Sequence, residues 1–289
     1  MNLKNTTDQK QKNNGISQML IRILTSAVGL AIFFVLLPSP DNVFAVAVLL
    51  VSLLAIFEIH RIASKSIFLT IVGLLSSSLI FAVSYIMPLT RFAFSVYLAV
   101  FTMYIMLSVF MYGREKVSTV YMLGFITIMF TCFFATIALL KAQCTAYVAF
   151  LPFLFGWITD TGAYFTGSLI GKHSLAGSIS EKKTVEGAIG GFVFCLVFTY
   201  LYIIFLRKVF HVSIFAHNNF LKMSVIAIAS SFVAQMGDLA ASAIKRNFNV
   251  KDYGKILPGH GGILDRFDSV VFVAPFLYFL LLTLVRLHS

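Results

Sequence analysis

The most informative stretch of the chain runs from Ser242 to Asp268 and reads SAIKRNFNVKDYGKILPGHGGILDRFD. Both flanking stretches are almost wholly apolar, so the segment is a charged island between hydrophobic segments. Lysine and arginine can bind phosphate oxygens, carboxylates can hold a divalent cation, and glycines let main-chain N–H groups approach a ligand closely. The segment has all three kinds of residue, including a Gly-His-Gly-Gly run at 259–262. The pattern favours a site for a phosphate chain and a metal over a loop that only orients the protein in a membrane.

The composition is typical of an integral membrane protein. Hydrophobic residues make up 59% of the chain, charged residues 11%, and the mean hydropathy is +0.93. A helix needs roughly 20 residues to cross a hydrocarbon core about 30 Å thick. We therefore predict an all-α, polytopic membrane protein with about nine transmembrane helices, the second being the weakest candidate because it is short. The nine segments are Arg22–Leu37, Val43–Ile56, Ile67–Met87, Phe92–Met111, Val117–Leu140, Ala146–Ile170, Ala188–Leu206, Met223–Ile244 and Val270–Val285.

The positions of the basic residues predict the orientation. If the N-terminus is cytoplasmic, 16 of the 22 lysines and arginines fall on the cytoplasmic side and 6 on the other. This bias follows the positive-inside rule. The formal net charge of +11 then faces anionic lipid head groups and anionic cytosolic metabolites, so no nucleic-acid partner is needed to explain it.

We divide the chain into three parts. Residues 1–17 are polar and predicted to form a disordered cytoplasmic tail. Residues 18–145 would form a transmembrane scaffold of about five helices, and 146–289 would form a transmembrane catalytic domain of about four. The scaffold has almost no charge inside its apolar segments, and we expect Glu58 and His60 to be solvated where the second segment ends. No chemistry is expected in this half.

The sixth apolar segment contains a carboxylate, Asp160, with small residues such as Ala163 on the same helical face. A charged side chain inside a span costs about 2.5–3.5 kcal/mol on insertion scales, so it normally faces a polar interior. Asp160 could therefore belong to a functional site. Alternatively, it could be a structural aspartate bonded to a neighbouring hydroxyl, such as that of Thr159 or Tyr164.

The eighth segment has a polar stripe that leads into the charged island. Ser231, Gln235, Asp238, Ser242 and Lys245 follow at helical spacing. Such a stripe would be very unfavourable against lipid, so we expect it to line a cavity open to the cytoplasm. An ion or proton pathway would use a similar stripe, and transport stays open as an alternative at this point.

The loop between the sixth and seventh segments, residues 171–187, offers a second group of cations. Lys182 and Lys183 precede Thr184 and a helix that we expect to begin near Glu186. Lysines beside a helix N-terminus form a reasonable anion site. We predict that this loop forms a further wall of the same site.

These residues carry a family resemblance. The Ser242–Asp268 segment resembles the complete signature of the phosphatidate cytidylyltransferases, also called CDP-diacylglycerol synthases, and two further blocks around Asp160 and Lys182–Gly187 are similar to that family. The resemblance implies that CTP and phosphatidate react to CDP-diacylglycerol and pyrophosphate in phospholipid biosynthesis, with Mg²⁺ required. It also implies an enzyme of a bacterial-type inner (cell) membrane whose active site faces the cytoplasm. A monovalent cation and a homodimer are left open.

The resemblance also assigns roles to individual residues. Asp238 and Asp265 are the leading metal ligands, with Asp268 and Asp160 as further candidates. The expected catalytic residues are Asp265, Asp238, Lys245 and Arg246. The expected substrate-binding residues are Lys182, Lys183, Thr184, Ser242, Lys251, His260, Gly261, Gly262 and Arg266. His260 could bind a phosphate or only fix the turn.

The sequence departs from the family pattern at two positions, and two alternative functions stay open. Ala241 stands where the family usually has an acidic residue, and Glu181 stands where it usually has a proline. We expect Ala241→Glu to be tolerated. A related CTP-using lipid enzyme, such as a polyprenol kinase or another lipid cytidylyltransferase, is one alternative. A cation-coupled transporter is the other.

Overall fold

The computed structural model describes residues 20–177, 179–180, 182–212, 220–259 and 261–286, so the predicted tail over 1–17 lies outside it. These residues form helices joined by loops, and no β-strand occurs among them. The helices are α1 (Leu20–Leu36), α2 (Asp41–Ala63), α3 (Ile67–Ile86), α4 (Arg91–Phe110), α5 (Val117–Gln143), α6 (Ala146–Ala149), α7 (Leu151–Ile170), α8 (Val185–Phe205), α9 (Phe220–Asn247), α10 (Leu264–Phe267) and α11 (Val270–Arg286). A π-helical turn, Leu206–Phe210, extends α8.

Seven spans in the described part of the chain are long and apolar enough to cross a membrane, which confirms the prediction of an all-α polytopic membrane protein. They are α2, α3, α4, α5, α6 with α7, α8 with its π-helical turn, and α9. The apolar helices at the two ends, α1 and α11, are shorter, so the count of nine stays a prediction. The second span was wrongly judged the weakest, because α2 continues past Ile56 and is 23 residues long.

Hydroxyl side chains begin several of these helices. Ser66 accepts a hydrogen bond from the Leu69 N–H at 3.3 Å, and Thr90 accepts one from the Ala93 N–H at 3.1 Å. Thr184 does the same for α8. The first N–H groups of a helix have no partner within the helix, so a hydroxyl at this position stabilises its start.

Two helices join the halves of the molecule. In the first half, α5 packs against α2, α3 and α4, and it also packs against α11. In turn, α11 packs against α7 and α9 of the second half. α7 and α8 approach each other closely, since a Cβ atom added at Gly187 of α8 would lie 2.7 Å from the carbonyl oxygen of Ala163. The predicted small-residue face of the sixth segment is thus a helix–helix contact.

The first half is not solvated where α2 ends, and that expectation was wrong. The side chains of Glu58 and His60 are buried, with 3% and 0% of their surface exposed. The His60 ring lies 3.0 Å from the Thr127 hydroxyl of α5 and against Gly73 of α3. The polar end of α2 therefore faces neighbouring helices and not water.

The Ser242–Asp268 segment is also contacted from the N-terminal side of the chain. The Thr25 hydroxyl of α1 donates a hydrogen bond to the carbonyl of Pro258 at 3.1 Å. α10 packs against α2. One end of the helix bundle therefore gathers the start of α1, the end of α2 and the charged segment.

Candidate active site

The inner part of the α9 stripe forms contacts between helices. Thr159 of α7 donates to the Ser231 hydroxyl at 2.9 Å, and the Gln235 amide donates to the carbonyl of Ala188 at 3.2 Å. Ser231 and Gln235 are both buried. At this depth the stripe does not line an open cavity as expected, because α7 and α8 occupy the space beside it.

Farther along α9, the stripe meets the loop between α7 and α8. The carboxylate of Asp238 forms an ion pair with the ammonium group of Lys183. About a fifth of the Asp238 side chain and a quarter of the Lys183 side chain are exposed, at 21% and 26%. The pair is therefore accessible to a ligand, and the predicted convergence of this loop on α9 is confirmed for Lys183.

Main-chain and side-chain bonds hold Lys183 in place. The Leu175 N–H donates to the Lys183 carbonyl at 2.8 Å, which makes a narrow turn of the loop. Glu186 accepts bonds from the N–H groups of Lys172 and His173 at 3.0 and 3.2 Å. Thr184, expected to bind substrate, uses its hydroxyl oxygen to accept the Gly187 N–H at 3.1 Å. In this arrangement Thr184 caps α8.

Asp265 is the most fully bonded carboxylate of the site. Its Oδ1 accepts from the Lys245 ammonium at 2.9 Å, and its Oδ2 accepts from the N–H groups of Tyr253 and Gly262 at 2.8 and 3.0 Å. Only 4% of its side chain is exposed. Asp265 thus ties the end of α9, the loop and the start of α10 together.

The remaining two aspartates meet at the start of α11. The Ser269 hydroxyl donates to Asp160 Oδ2 at 2.9 Å, and the Ser269 N–H donates to Asp268 Oδ1 at 3.0 Å. Asp160 is therefore bonded to a hydroxyl, although not to that of Thr159 or Tyr164. The Lys245 Nζ lies 3.9 Å from Asp268 Oδ2, so one ammonium group serves both Asp265 and Asp268.

The carboxylates act on one another electrostatically. Burial raises the pKa of Asp268 well above its usual value, and the negative charge of Asp238 raises it further. Lys245 opposes this rise, while Asp160 and Asp265 add to it. The four aspartates predicted as metal ligands thus form one cluster, in which Lys183 and Lys245 form ion pairs with three of them.

The cluster suits a hard divalent cation without forming a closed cage for one. Its donors are carboxylate oxygens, which Mg²⁺ prefers. In the part of the chain that the structure describes, no group of three or more His, Cys, Asp or Glu side chains could hold a metal ion. Mg²⁺ is commonly bound by one or two carboxylates together with substrate phosphates and water, so the donor set fits that mode.

Other predicted residues lie around this cluster. The Arg246 guanidinium donates to the carbonyl of Val250 at 3.1 Å and so closes the end of α9. Gly261 has a φ of +85°, which favours glycine, and its carbonyl accepts the Leu257 N–H at 3.0 Å. Lys182, Lys251 and Arg266 are exposed, whereas Ser242 is half-buried and Gly262 is buried. His260 lies outside the described residues.

Tyr253 is a site residue that the sequence reasoning missed. Its side chain is buried, its hydroxyl donates to the Ala241 carbonyl at 2.8 Å, and its ring centroid lies 5.2 Å from the Lys245 Nζ. Burial raises the pKa of the Tyr253 hydroxyl, and Asp268, Asp265 and Asp238 raise it further. The hydroxyl therefore remains a donor, and the ring supports the lysine that binds two aspartates.

Glu58 of α2 was missed as well. Its carboxylate accepts hydrogen bonds from the N–H groups of Ile263 and Leu264 at 2.9 and 3.0 Å. An acidic residue beside a long apolar run was the available signal, but its partner segment lies 205 residues away in the sequence. The site therefore draws on a residue outside 146–289.

Comparison with known proteins identifies the family. The model of the cytidylyltransferase family matches residues 20–284, which is nearly the whole chain. The chain belongs to the cytidylyltransferase family. This confirms the resemblance carried by the Ser242–Asp268 signature.

The chain is similar to three bacterial phosphatidate cytidylyltransferases. The protein of Staphylococcus epidermidis is 34% identical over 272 residues, covering 91% of this chain and 99% of the relative. That of Bacillus subtilis is 50% identical over 125 residues, 43% of this chain and 44% of the relative. That of Staphylococcus aureus is 51% identical over 130 residues, 45% of this chain and 47% of the relative.

Proposed function

We propose that this membrane protein transfers a cytidylyl group from CTP to phosphatidate. A phosphate oxygen of the lipid would form a bond to the α-phosphorus of CTP, and the bond from that phosphorus to the bridging oxygen of the β-phosphate would break. CDP-diacylglycerol and pyrophosphate are the products. The observation that carries the proposal is the cluster of Asp160, Asp238, Asp265 and Asp268 with Lys183 and Lys245 at one end of the helix bundle.

The chemistry asks little of the protein in the way of proton transfer. The attacking phosphate oxygen is already anionic near neutral pH, so a strong general base is unnecessary. The main requirement is to bring two polyanions together and to stabilise the charge on the α-phosphate and the departing pyrophosphate. Lys183 and Lys245 would do this by binding phosphate oxygens in addition to their aspartate partners, since each ammonium group has three donors.

Mg²⁺ belongs to the same proposal. Asp238 is the most accessible carboxylate of the described ion pairs in the cluster, and it would hold the ion with Asp265, while Asp268 and Asp160 are further ligand candidates. A bound Mg²⁺ would neutralise charge on the nucleotide phosphates.

The membrane setting fits a lipid substrate. The cluster lies where α7, α9 and α11 meet, so acyl chains can stay in the bilayer while the head group reaches the ion pairs. The excess of basic residues on the same side supports a site on the cytoplasmic face of a bacterial inner membrane. The homodimer and the lack of a nucleic-acid partner stay predictions.

The test is a product assay with purified protein in detergent, CTP, phosphatidate and Mg²⁺. We expect one pyrophosphate for each CDP-diacylglycerol. Asp265→Asn should abolish turnover, whereas Asp41→Asn is the matched control, because Asp41 is half-exposed and pairs with Lys141, outside the aspartate cluster. Release of CDP with a phosphorylated lipid would point to a lipid kinase. Turnover without a sealed compartment would remove transport as the necessary activity, and absence of turnover in detergent and in liposomes would contradict the proposal.

A further inference from the structure

The end of α2 reaches into the signature segment through one buried carboxylate. Glu58 is 3% exposed, its Oε1 accepts the Ile263 N–H at 2.9 Å, and its Oε2 accepts the Leu264 N–H at 3.0 Å. Burying a carboxylate is costly unless it is well hydrogen-bonded, and bonds from N–H groups to a charged acceptor are strong. Glu58 therefore binds the main chain of this segment firmly.

Two glycines of the segment make room for the Glu58 carboxylate. A Cβ atom added at Gly262 would lie 2.6 Å from Glu58 Oε2, and one added at Gly254 would lie 2.8 Å from its Cδ. Real Cβ atoms essentially never approach so closely. The segment thus packs on Glu58 from two sides, and a side chain at either position would displace the Glu58 carboxylate.

The same main chain also binds Asp265. Three successive N–H groups, those of Gly262, Ile263 and Leu264, donate to two carboxylates. The first of them binds Asp265 and the next two bind Glu58. These are the groups at the start of α10, where a helix leaves its N–H groups without internal partners. Glu58 therefore fixes the turn from which the Asp265 side chain projects.

We propose that Glu58 is a positioning residue of the active site, which holds the start of α10 so that Asp265 stays beside Lys245. The inference rests on the proposed function, because it gives Asp265 and Lys245 their catalytic meaning. Glu58 acts through the main chain of Ile263 and Leu264 and is not itself a reacting group. It also assigns part of the active site to the half of the chain that was expected to be a scaffold.

The test compares Glu58→Gln with Glu115→Gln. Glu115 also follows an apolar span of the first half, but its carboxylate accepts from Ser64 and not from the signature segment. In Glu58→Gln the amide keeps one acceptor, and its NH₂ group faces an N–H donor. We expect kcat to fall about 10- to 100-fold, as for other residues that orient a metal-site ligand. The Glu115→Gln protein should keep the rate of the original protein.

A second readout does not depend on catalysis. Backbone hydrogen exchange of a peptide covering 261–268 should become faster in Glu58→Gln, while peptides from α5 and α7 stay unchanged. A purely structural role would instead speed hydrogen exchange throughout the neighbouring helices and would also lower the thermal unfolding midpoint. If the original protein shows no cytidylyl transfer but the local exchange effect appears, the proposed function fails and the positioning contact stands.

Gly262→Ala provides an approach from the other side of the contact. Its methyl group would push on the Glu58 carboxylate without changing any charge. The variant should therefore reproduce both the lower kcat and the faster hydrogen exchange of residues 261–268. Gly29→Ala is the control, because a Cβ atom there has nothing within 4 Å. The proposal is overturned if both Glu58→Gln and Gly262→Ala retain the original kcat and exchange. It is also overturned if both variants fail to fold, since Glu58 would then serve the fold as a whole.

Discussion

The Lys245 ammonium group lies 2.9 Å from Asp265 Oδ1 and 3.9 Å from Asp268 Oδ2, so a single cation balances two aspartates of the signature segment. The two aspartates are largely buried, with 4% and 13% of their side chains exposed. Lys245 is 12% exposed and rests against the Tyr253 ring. Lys245 is therefore already bound to Asp265, Asp268 and the Tyr253 ring before any substrate binds.

Replacing Lys245 by methionine should abolish activity and destabilise the protein. Breaking a buried ion pair by removing one partner typically costs about 3–5 kcal/mol, because the remaining charge is left uncompensated. We expect a lower thermal unfolding midpoint and a fall in kcat of at least 100-fold. The exposed Lys255 of the same segment is the control, and Lys255→Met should leave the unfolding midpoint unchanged.

The double variant Lys245→Met, Asp265→Asn separates the two effects. It removes both members of the pair, so part of the lost stability should return while activity stays absent. Equal unfolding midpoints for the single and double variants would show that the ion pair does not account for the stability of this region.

The neighbouring lysines of the α7–α8 loop should differ in their contribution. Lys183 pairs with Asp238, whereas Lys182 is exposed. We expect Lys183→Ala to lower kcat/KM for CTP by about 100-fold, as for the loss of a charged contact worth about 2–3 kcal/mol. Lys182→Ala should have a clearly smaller effect. Steady-state rates over a range of CTP concentrations make the comparison, and equal losses would contradict the role of the Asp238 pair.

Part of this site follows from the sequence and part does not. The signature segment, the α9 stripe and the lysine loop are each visible as polar residues beside apolar runs. The loop does reach α9 as predicted, through the ion pair of Lys183 with Asp238. The sequence does not show that the inner part of the stripe forms contacts between helices, where Ser231 binds α7 and Gln235 binds α8. A spacing rule places residues on one helix face without saying which helix covers that face.

The contribution of Glu58 could not be predicted for a related reason. Hydropathy places it at the end of a span, where water is the expected neighbour. Its buried state depends on a segment that returns to it after 205 residues. Thr184 was predicted to bind substrate from its position before a helix. A hydroxyl at such a position can cap the helix as readily as it can bind a ligand, and here it caps α8.

Asp238→Asn should raise the Mg²⁺ requirement. The variant keeps one carbonyl oxygen and loses the charge that binds a divalent cation, so the Mg²⁺ concentration for half-maximal rate should increase about 10- to 100-fold. Mg²⁺ titration of the rate makes this measurement. Direct Mg²⁺ binding by calorimetry, in the presence of a non-reactive CTP analogue, provides a readout apart from turnover.

Asp41→Asn is again the matched control, and it should not change the Mg²⁺ dependence. An unaltered half-maximal concentration in Asp238→Asn would remove Asp238 from the proposed ligand set. It would leave Asp265, Asp268 and Asp160 as the remaining candidates.

Ala241→Glu tests the departure from the family pattern, and the burial of Ala241 argues against the expectation that this substitution would be tolerated. Ala241 has 0% of its surface exposed, and its carbonyl accepts the Tyr253 hydroxyl. A glutamate here must displace packed neighbours, which typically costs about 1–3 kcal/mol, and must bury a further carboxylate near the aspartate cluster. We expect a lower thermal unfolding midpoint than that of the original protein. If Ala241→Glu were as stable as the original protein and lowered its Mg²⁺ requirement, the new carboxylate would have joined the site, and the position would be an unoccupied ligand place.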